Sequence, residues 1–175
     1  MTSHISIDIE TLGLSSSSVI LSIGAVVFSR NYGLENEFYR ELGVSNQLAE
    51  GRTFEDKTLQ WWLTGNAKLR GSEQRELPET LRNLASFCKS HMTADSTIWA
   101  RGTDFDISIL SHAYRQVGLE IPWNYSKVRD LRTLAKLFPP VDLAANLDPH
   151  NALEDAKHQA RQLLSIALLQ NLEIK

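Results

Sequence analysis

Asp8 and Glu10 stand two residues apart in an alternating segment. Ile5, Ile7 and Ile9 point one way, and Ser6, Asp8 and Glu10 the other. Both carboxylates therefore leave one face of a predicted strand. They lie at its C-terminal end, where open α/β sheets place their sites. Two like charges side by side repel, and partial burial makes the pair costly without a counter-ion. For oxygen ligands a divalent metal is the simplest counter-ion. The same acids would also be satisfied as solvated groups at an exposed strand end, so the spacing alone leaves both readings open.

Three further residues have comparable chemistry. Asp106, in Arg101-Gly102-Thr103-Asp104-Phe105-Asp106, falls in the first turn of a predicted helix, where the helix dipole alone would favour an acid. Asp155 falls about one turn into the last predicted helix, on the side of Ala152 and Ala156. It therefore faces the protein, which is expensive without a partner. His150 precedes that helix on a loop after Asp148-Pro149. A loop histidine free to reach a water suits a general base, and it would equally serve as an exposed loop residue.

The elements that must position these groups follow from periodicity. Val19 to Ser29 is rich in β-branched residues and predicts a second strand, and Glu37 to Leu42 a third, giving an antiparallel meander. Thr53 to Trp62 predicts a short helix. Pro78 opens a helix with Leu81, Leu84, Ala85 and Cys88 on one face. Ser96 to Ala100 predicts a short strand. Thr103 or Asp104 would cap the next helix, with Ile107, Leu110, Tyr114 and Val117 inward and Gly118 beyond its end. Ser126 to Phe138 has helical spacing stopped by Pro139-Pro140. A last helix starts near Asn151, with Leu153, Ala156, Ala160, Leu163, Leu164 and Ala167 inward. Three strands followed by alternating helix and strand imply an α/β fold, a mixed sheet covered by helices.

The 175 residues suit one domain spanning 1–175; 42% are hydrophobic and 22% charged, a globular composition. A formal net charge of -3 supplies no basic field for nucleic acid, so a polyanionic substrate would need local cations or bound metal. The single cysteine, Cys88, excludes an internal disulfide and reads as core. No run of about 18 apolar residues suggests a membrane span, and the N-terminus lacks a secretion signal, so the expected location is cytoplasmic.

Taken together, Asp8, Glu10, Asp106, His150 and Asp155 resemble the DEDDh subgroup of the DnaQ-like 3′→5′ exonucleases. The motifs are Asp-Ile-Glu-Thr before a small loop, Phe-Asp at a helix start, and His-x-x-x-x-Asp before a closing amphipathic helix. The resemblance runs from Ile5 to about Leu168. It implies a ribonuclease H-like fold with a five-stranded mixed sheet. It further implies that Asp8, Glu10, Asp106 and Asp155 hold two Mg²⁺ or Mn²⁺ ions while His150 takes a proton from the attacking water. Where the family often has His-Asn before the second aspartate motif, this chain has Ala100-Arg101-Gly102, and Arg101 would touch a phosphate instead.

The resemblance also places a terminal nucleotide against Thr11-Leu12-Gly13, with Leu12 as the apolar wedge; packing of Leu12 within its loop is the other reading. Phe105 belongs to the same substrate-binding group. Trp61 and Trp62 cannot both face one core. One of them stacks on a base, an interaction of about 1–3 kcal/mol, or else one lies at a subunit contact. Thr-Leu-x-Trp-Trp is similar to a segment of small exoribonucleases and phage exonucleases in the family. Lys68, Arg70, Arg75 and Arg82, and again Lys127, Arg129 and Arg132, either track a phosphate backbone or form solvated faces. His4, His91, His112 and His158 read as surface or cap residues, and Asp130 as structural.

The expected activity is hydrolysis at single-stranded 3′ ends, with RNA preferred and a phage- or repair-type exodeoxyribonuclease as the alternative. A non-catalytic binding module of the same fold would be expected to have lost at least one of the five residues. A calcium-binding domain would have no need of His150. No membrane partner is expected, and a homodimer follows by resemblance only.

Overall fold

A computed structural model describes residues 2–65 and 75–174. Five strands form one mixed sheet: β1 (His4–Thr11), β2 (Ile20–Ser29), β3 (Gly33–Glu41), β4 (Ile98–Ala100) and β5 (Val128–Asp130). Their order is β3-β2-β1-β4-β5; the first three run antiparallel, and β4 and β5 pair parallel to β1 and to each other. The helices are α1 (Val44–Ala49), α2 (Asp56–Leu63), α3 (Leu77–His91), α4 (Asp106–Gln116), α5 (Leu131–Leu137) and α6 (Ala152–Leu169).

The alternation of β1 divides two cores. Ile5, Ile7 and Ile9 pack with Leu81, Leu84, Leu110 and Tyr114 of α3 and α4. The other face of the sheet carries Val26, Phe28 and Trp99 against Leu131, Ala156, Ala160 and Leu163 of α5 and α6. Asp8 and Glu10 have the parity of that second face, so α6 closes over the strand that bears them. Because helices cover both faces, β2 is buried along its whole length.

Several boundaries differ from the sequence expectations. The helix expected over Ser126 to Phe138 is three elements: a 3₁₀ turn (Tyr125–Lys127), strand β5 and helix α5. Val128 and Leu131 share a helical spacing yet belong to different elements. Val128 pairs with Ile98, and Asp130 ends the strand by capping α5, its Oδ1 accepting from Thr133 N–H at 2.6 Å. Neither Thr103 nor Asp104 caps α4; Phe105 holds the N-cap position without a side-chain cap, and the preceding Gly102 and Thr103 N–H groups donate to Asp130 Oδ2. Helix α1 has no counterpart in the periodicity. It is held by buried Gln47, which exchanges hydrogen bonds with the backbone of Ile20 and donates to the Gly43 carbonyl. Val117 ends α4, and Leu153 and Leu164 are only partly buried.

His4 is the clearest correction among the histidines: it is 2% exposed. Trp99 Nε1–H donates to Thr97 Oγ1, which lies 2.7 Å from His4 Nδ1, and that nitrogen also accepts from Thr97 N–H. Burial pushes the imidazole down to about 4. Cys88 is buried as expected, its thiol pushed up to about 12 by desolvation. Among the described residues no helix is long and apolar enough to cross a membrane.

Candidate active site

The fold brings all five sequence-predicted residues to one edge of the sheet. β1 presents Asp8 and Glu10, and the N-terminus of α4 delivers Asp106, whose Oδ1 accepts from Ile9 N–H at 3.1 Å. That bond ties the second motif directly to the backbone between the first two acids. Asp155 comes from the first turn of α6, capped by Asn151, whose side chain accepts from Leu153 N–H. Both Asp155 oxygens are held, Oδ1 by Asn146 Nδ2 at 2.7 Å and Oδ2 by the His150 backbone N–H at 2.8 Å. His150 has φ 63°, a left-handed conformation that costs a non-glycine residue energy; the Asn151 cap and the Asp155 carboxylate hold it there. Ligand atoms of Glu10, His150 and Asp155 lie within 4.8 Å of one another.

Two residues of this framework fall outside the sequence motifs. Gln159 Nε2 donates to Asp8 Oδ1 at 2.7 Å, and its own Oε1 is buried without a partner. One turn beyond Asp155, Gln159 shares its helix face, so the i+4 spacing is the signal that could have found it. Asn146 lies in a stretch without periodicity and has none. A third residue, Gly24, explains how α6 reaches the strand. It pairs with Asp8 in register, and a Cβ there would lie 2.2 Å from the backbone of Ala152 and Leu153. No side chain fits between β2 and the start of α6.

The electrostatics are those of an unneutralised acidic pocket. Desolvation raises Asp8 well above the carboxylate range, and the charges of Asp106, Glu10 and Asp155 raise it further, against the Gln159 hydrogen bond. Burial, then Asp155 and Asp106, push Glu10 up to about 8. Asp106 is pushed up to about 7 by burial, opposed by the Ile9 N–H and by Arg132. Asp155 is raised by burial despite its hydrogen bonds. Four oxygen donors this close, each destabilised as an anion, fit a divalent cation. The exposed acids of the alternative reading would show no such shifts.

The substrate-side expectations divide. Leu12 is 5% exposed and packs with Val19, Leu21 and Trp62, as in the loop-packing reading; Leu14, 71% exposed, is the apolar side chain the loop presents. Thr11 Oγ1 donates to the Gly13 carbonyl, and Gly13 itself is enclosed by Ser18 and Glu55. Thr11 and Gly13 therefore shape the loop from within. Trp62 is buried, its Nε1–H donating to the Thr11 carbonyl at 2.9 Å. Trp61 instead meets His150 edge to face, with ring centroids 4.7 Å apart. Phe105 is partly buried against the core. Arg101 is exposed and donates to Gln162 Oε1. The cation that acts on Asp106 is Arg132, whose guanidinium lies over Gly102 and donates to the Arg101 carbonyl. Lys127 and Arg129 sit at the far end of the sheet, lining a cleft with His4 and Arg30. Lys68 and Arg70 lie outside the described residues.

Nucleases of known structure share this fold, a DEDDh family member among them. The chain superposes on the nuclease domain of 3′hExo, a DEDDh family member bound to rAMP. There the TM-score is 0.63 at 16% identity, covering 99% of this chain and 96% of that one. It also superposes on the Mg²⁺- and Mn²⁺-bound form of S. pombe Pop2p (TM-score 0.66, 14% identity, 93% and 82% covered) and on exonuclease X in complex with 5′ overhanging duplex DNA (0.60, 14%, 99% and 95%). At these identities the likeness shows the fold. No curated protein sequence matches the chain. The family model of the 3′-5′ exoribonuclease Rv2179c-like domain matches residues 3–167, and the chain belongs to that family of 3′→5′ exonucleases.

Gly24→Ala should lower the thermal midpoint, an overpacking cost of about 1–3 kcal/mol, and weaken stabilisation by Mn²⁺ as Asp155 is displaced. Melting curves with and without Mn²⁺ check both; an unchanged Mn²⁺ response would separate Asp155 from the packing of α6 on β2.

Proposed function

We propose that this chain removes nucleotides from single-stranded 3′ ends, RNA in preference to DNA, releasing nucleoside 5′-monophosphates. The observation that carries this reading is the meeting of four acids and His150 at one sheet edge, in a pocket whose acids are destabilised as anions. Asp8, Glu10, Asp106 and Asp155 would hold Mg²⁺ or Mn²⁺, two ions per site. Bound there, such ions neutralise phosphate charge and polarise the phosphodiester and the attacking water. His150 accepts a proton from that water on an imidazole nitrogen. Oxygen then bonds to phosphorus, the bond to the 3′ oxygen breaks, and that oxygen takes a proton from solvent, leaving a 3′-hydroxyl on the shortened strand. Asn146 and Gln159 keep the Asp155 and Asp8 carboxylates oriented. Leu14, exposed on the loop after β1, and Trp61, against His150, provide apolar surface for the terminal base. Arg101 and Arg132 offer positive charge beside the phosphates. The RNA preference rests on the family description and on the Trp61-Trp62 segment. A DNA exonuclease is the second reading, favoured by the fold's likeness to exonuclease X bound to DNA.

Matched RNA and DNA oligomers labelled at the 5′ end, incubated with Mn²⁺ or Mg²⁺, test this directly. A ladder shortening from the 3′ end, faster on RNA, is expected; faster DNA shortening would reverse the sugar preference, and internal cuts would overturn the polarity. His150→Ala should lower kcat by about 10²–10⁴-fold, the usual contribution of a general base. It should leave stabilisation by Mn²⁺ intact, because the bond to Asp155 comes from the His150 backbone. Equal loss of both would make His150 a ligand.

A further inference from the structure

We propose that Trp61 is a positioning residue that fixes the His150 imidazole for proton transfer, in addition to any contact with substrate. The backbone of His150 is anchored, with its N–H on Asp155 and the Asn151 cap following it. Its side chain is exposed, and a ring nitrogen lies within 4.8 Å of carboxylate oxygens of Glu10 and Asp155. The aromatic contact to the ring is Trp61, edge to face at 4.7 Å and 75°. Trp61 is itself held edge-on by Trp62 at 5.1 Å and 84°. Trp62 is buried and donates from Nε1 to the carbonyl of Thr11, the residue after Glu10. The series Thr11, Trp62, Trp61, His150 thus runs from the strand that carries two acids to the base that works beside them. Aromatic pairs at such separations prefer this edge-to-face arrangement, which restricts ring orientation as well as position.

This geometry also explains the adjacent tryptophans. On α2 they point in different directions and hold different things in place. Trp62 locks the helix onto β1, and Trp61 extends that lock to the loop before α6. A tryptophan serving only as a base platform would need an open face and no contact with the histidine. An exposed imidazole free to rotate would spend part of its time turned from the water it must deprotonate, and small misplacements of a catalytic group are costly.

The inference rests on the proposed role of His150, and its test separates the two. Trp61→Ala is expected to lower kcat at least about tenfold with a smaller change in KM. Trp61→Phe, which keeps a ring, should recover most of that loss. In a His150→Ala background, Trp61→Ala should change kcat by less than about twofold, since residues acting through one another are not additive. A KM effect alone, or additive losses in kcat, would overturn the proposal in favour of a base platform. An independent readout needs no turnover. The His150 ring-proton NMR signals, assigned by their disappearance in His150→Ala, should be displaced by indole ring currents and move in Trp61→Leu. Unmoved signals would refute the contact; moved signals in a protein without nuclease activity would keep the contact and discard the catalytic reading.

Discussion

Asp8→Asn should abolish exonuclease turnover while raising the thermal midpoint of the metal-free protein. The two effects have one origin. Asp8 is held among Asp106, Glu10 and Asp155, and its anion is disfavoured by burial and by all three charges. Asparagine keeps the size and an oxygen that accepts from Gln159 Nε2, so packing is conserved while one repulsive charge leaves. Without metal, that relieves the pocket. With metal, it removes a ligand, and the expected loss of kcat is on the order of 10³-fold or more, the scale of a missing preorganised electrostatic contact. Melting in EDTA and a kinetic assay in Mn²⁺ check the pair of outcomes. A destabilised metal-free variant that retains activity would mean that Asp8 is a structural acid and the site lies elsewhere.

In EDTA, stability should fall as pH rises from about 6.5 to about 8, and Mn²⁺ should reverse the trend. An acid whose pKa is raised by folding holds its proton more tightly when folded, so stability is lost as pH rises through the interval between its unfolded and folded values. Asp106, near 7, and Glu10, near 8, place the upper part of that loss in this window. Each proton that only the folded state holds contributes a slope of about 1.4 kcal/mol per pH unit. The lower interval is mixed. His4, held near 4, contributes stability that is lost as pH falls from its ordinary 6.5 towards 4, which opposes the acids there. Above 6.5 that contribution is complete and the acids act alone. Asp130, lowered by its backbone donors, matters only in the acid range. Because metal ligands must be deprotonated, stabilisation by Mn²⁺ should grow across the same window. Urea midpoints at stepped pH, with and without Mn²⁺, would show this; metal-free stability that is flat or rising above 6.5 would deny the acids their shared pocket.

The sequence is most legible where side-chain parity and chemistry agree. The alternation of residues 4–10 places Asp8 and Glu10 on one face because Ile5, Ile7 and Ile9 must fill the other. Asp155 is readable because a carboxylate on the inward side of an amphipathic helix demands a partner. Features decided by long-range contacts escape. Strand β5 is hidden because Val128 and Leu131 keep helical spacing across a strand-to-helix boundary, and only pairing with β4 makes the distinction. His4 reads as a surface residue because its polar partner, Thr97, lies 93 positions away. Leu12 leaves two readings open because the loop composition cannot show that Trp62 packs against it. Asn146 and Gln159, which hold the acids in place, have no motif of their own.

The central claim is that carboxylates from three separate segments form one metal site, and counting bound Mn²⁺ by electron paramagnetic resonance tests it most directly. The wild-type chain should take up two ions in the presence of nucleoside 5′-monophosphate, while Asp8→Asn and Asp155→Asn each lose tight binding although their mutated positions are 147 residues apart in sequence. Uptake in either variant that matches the wild type would contradict the shared site.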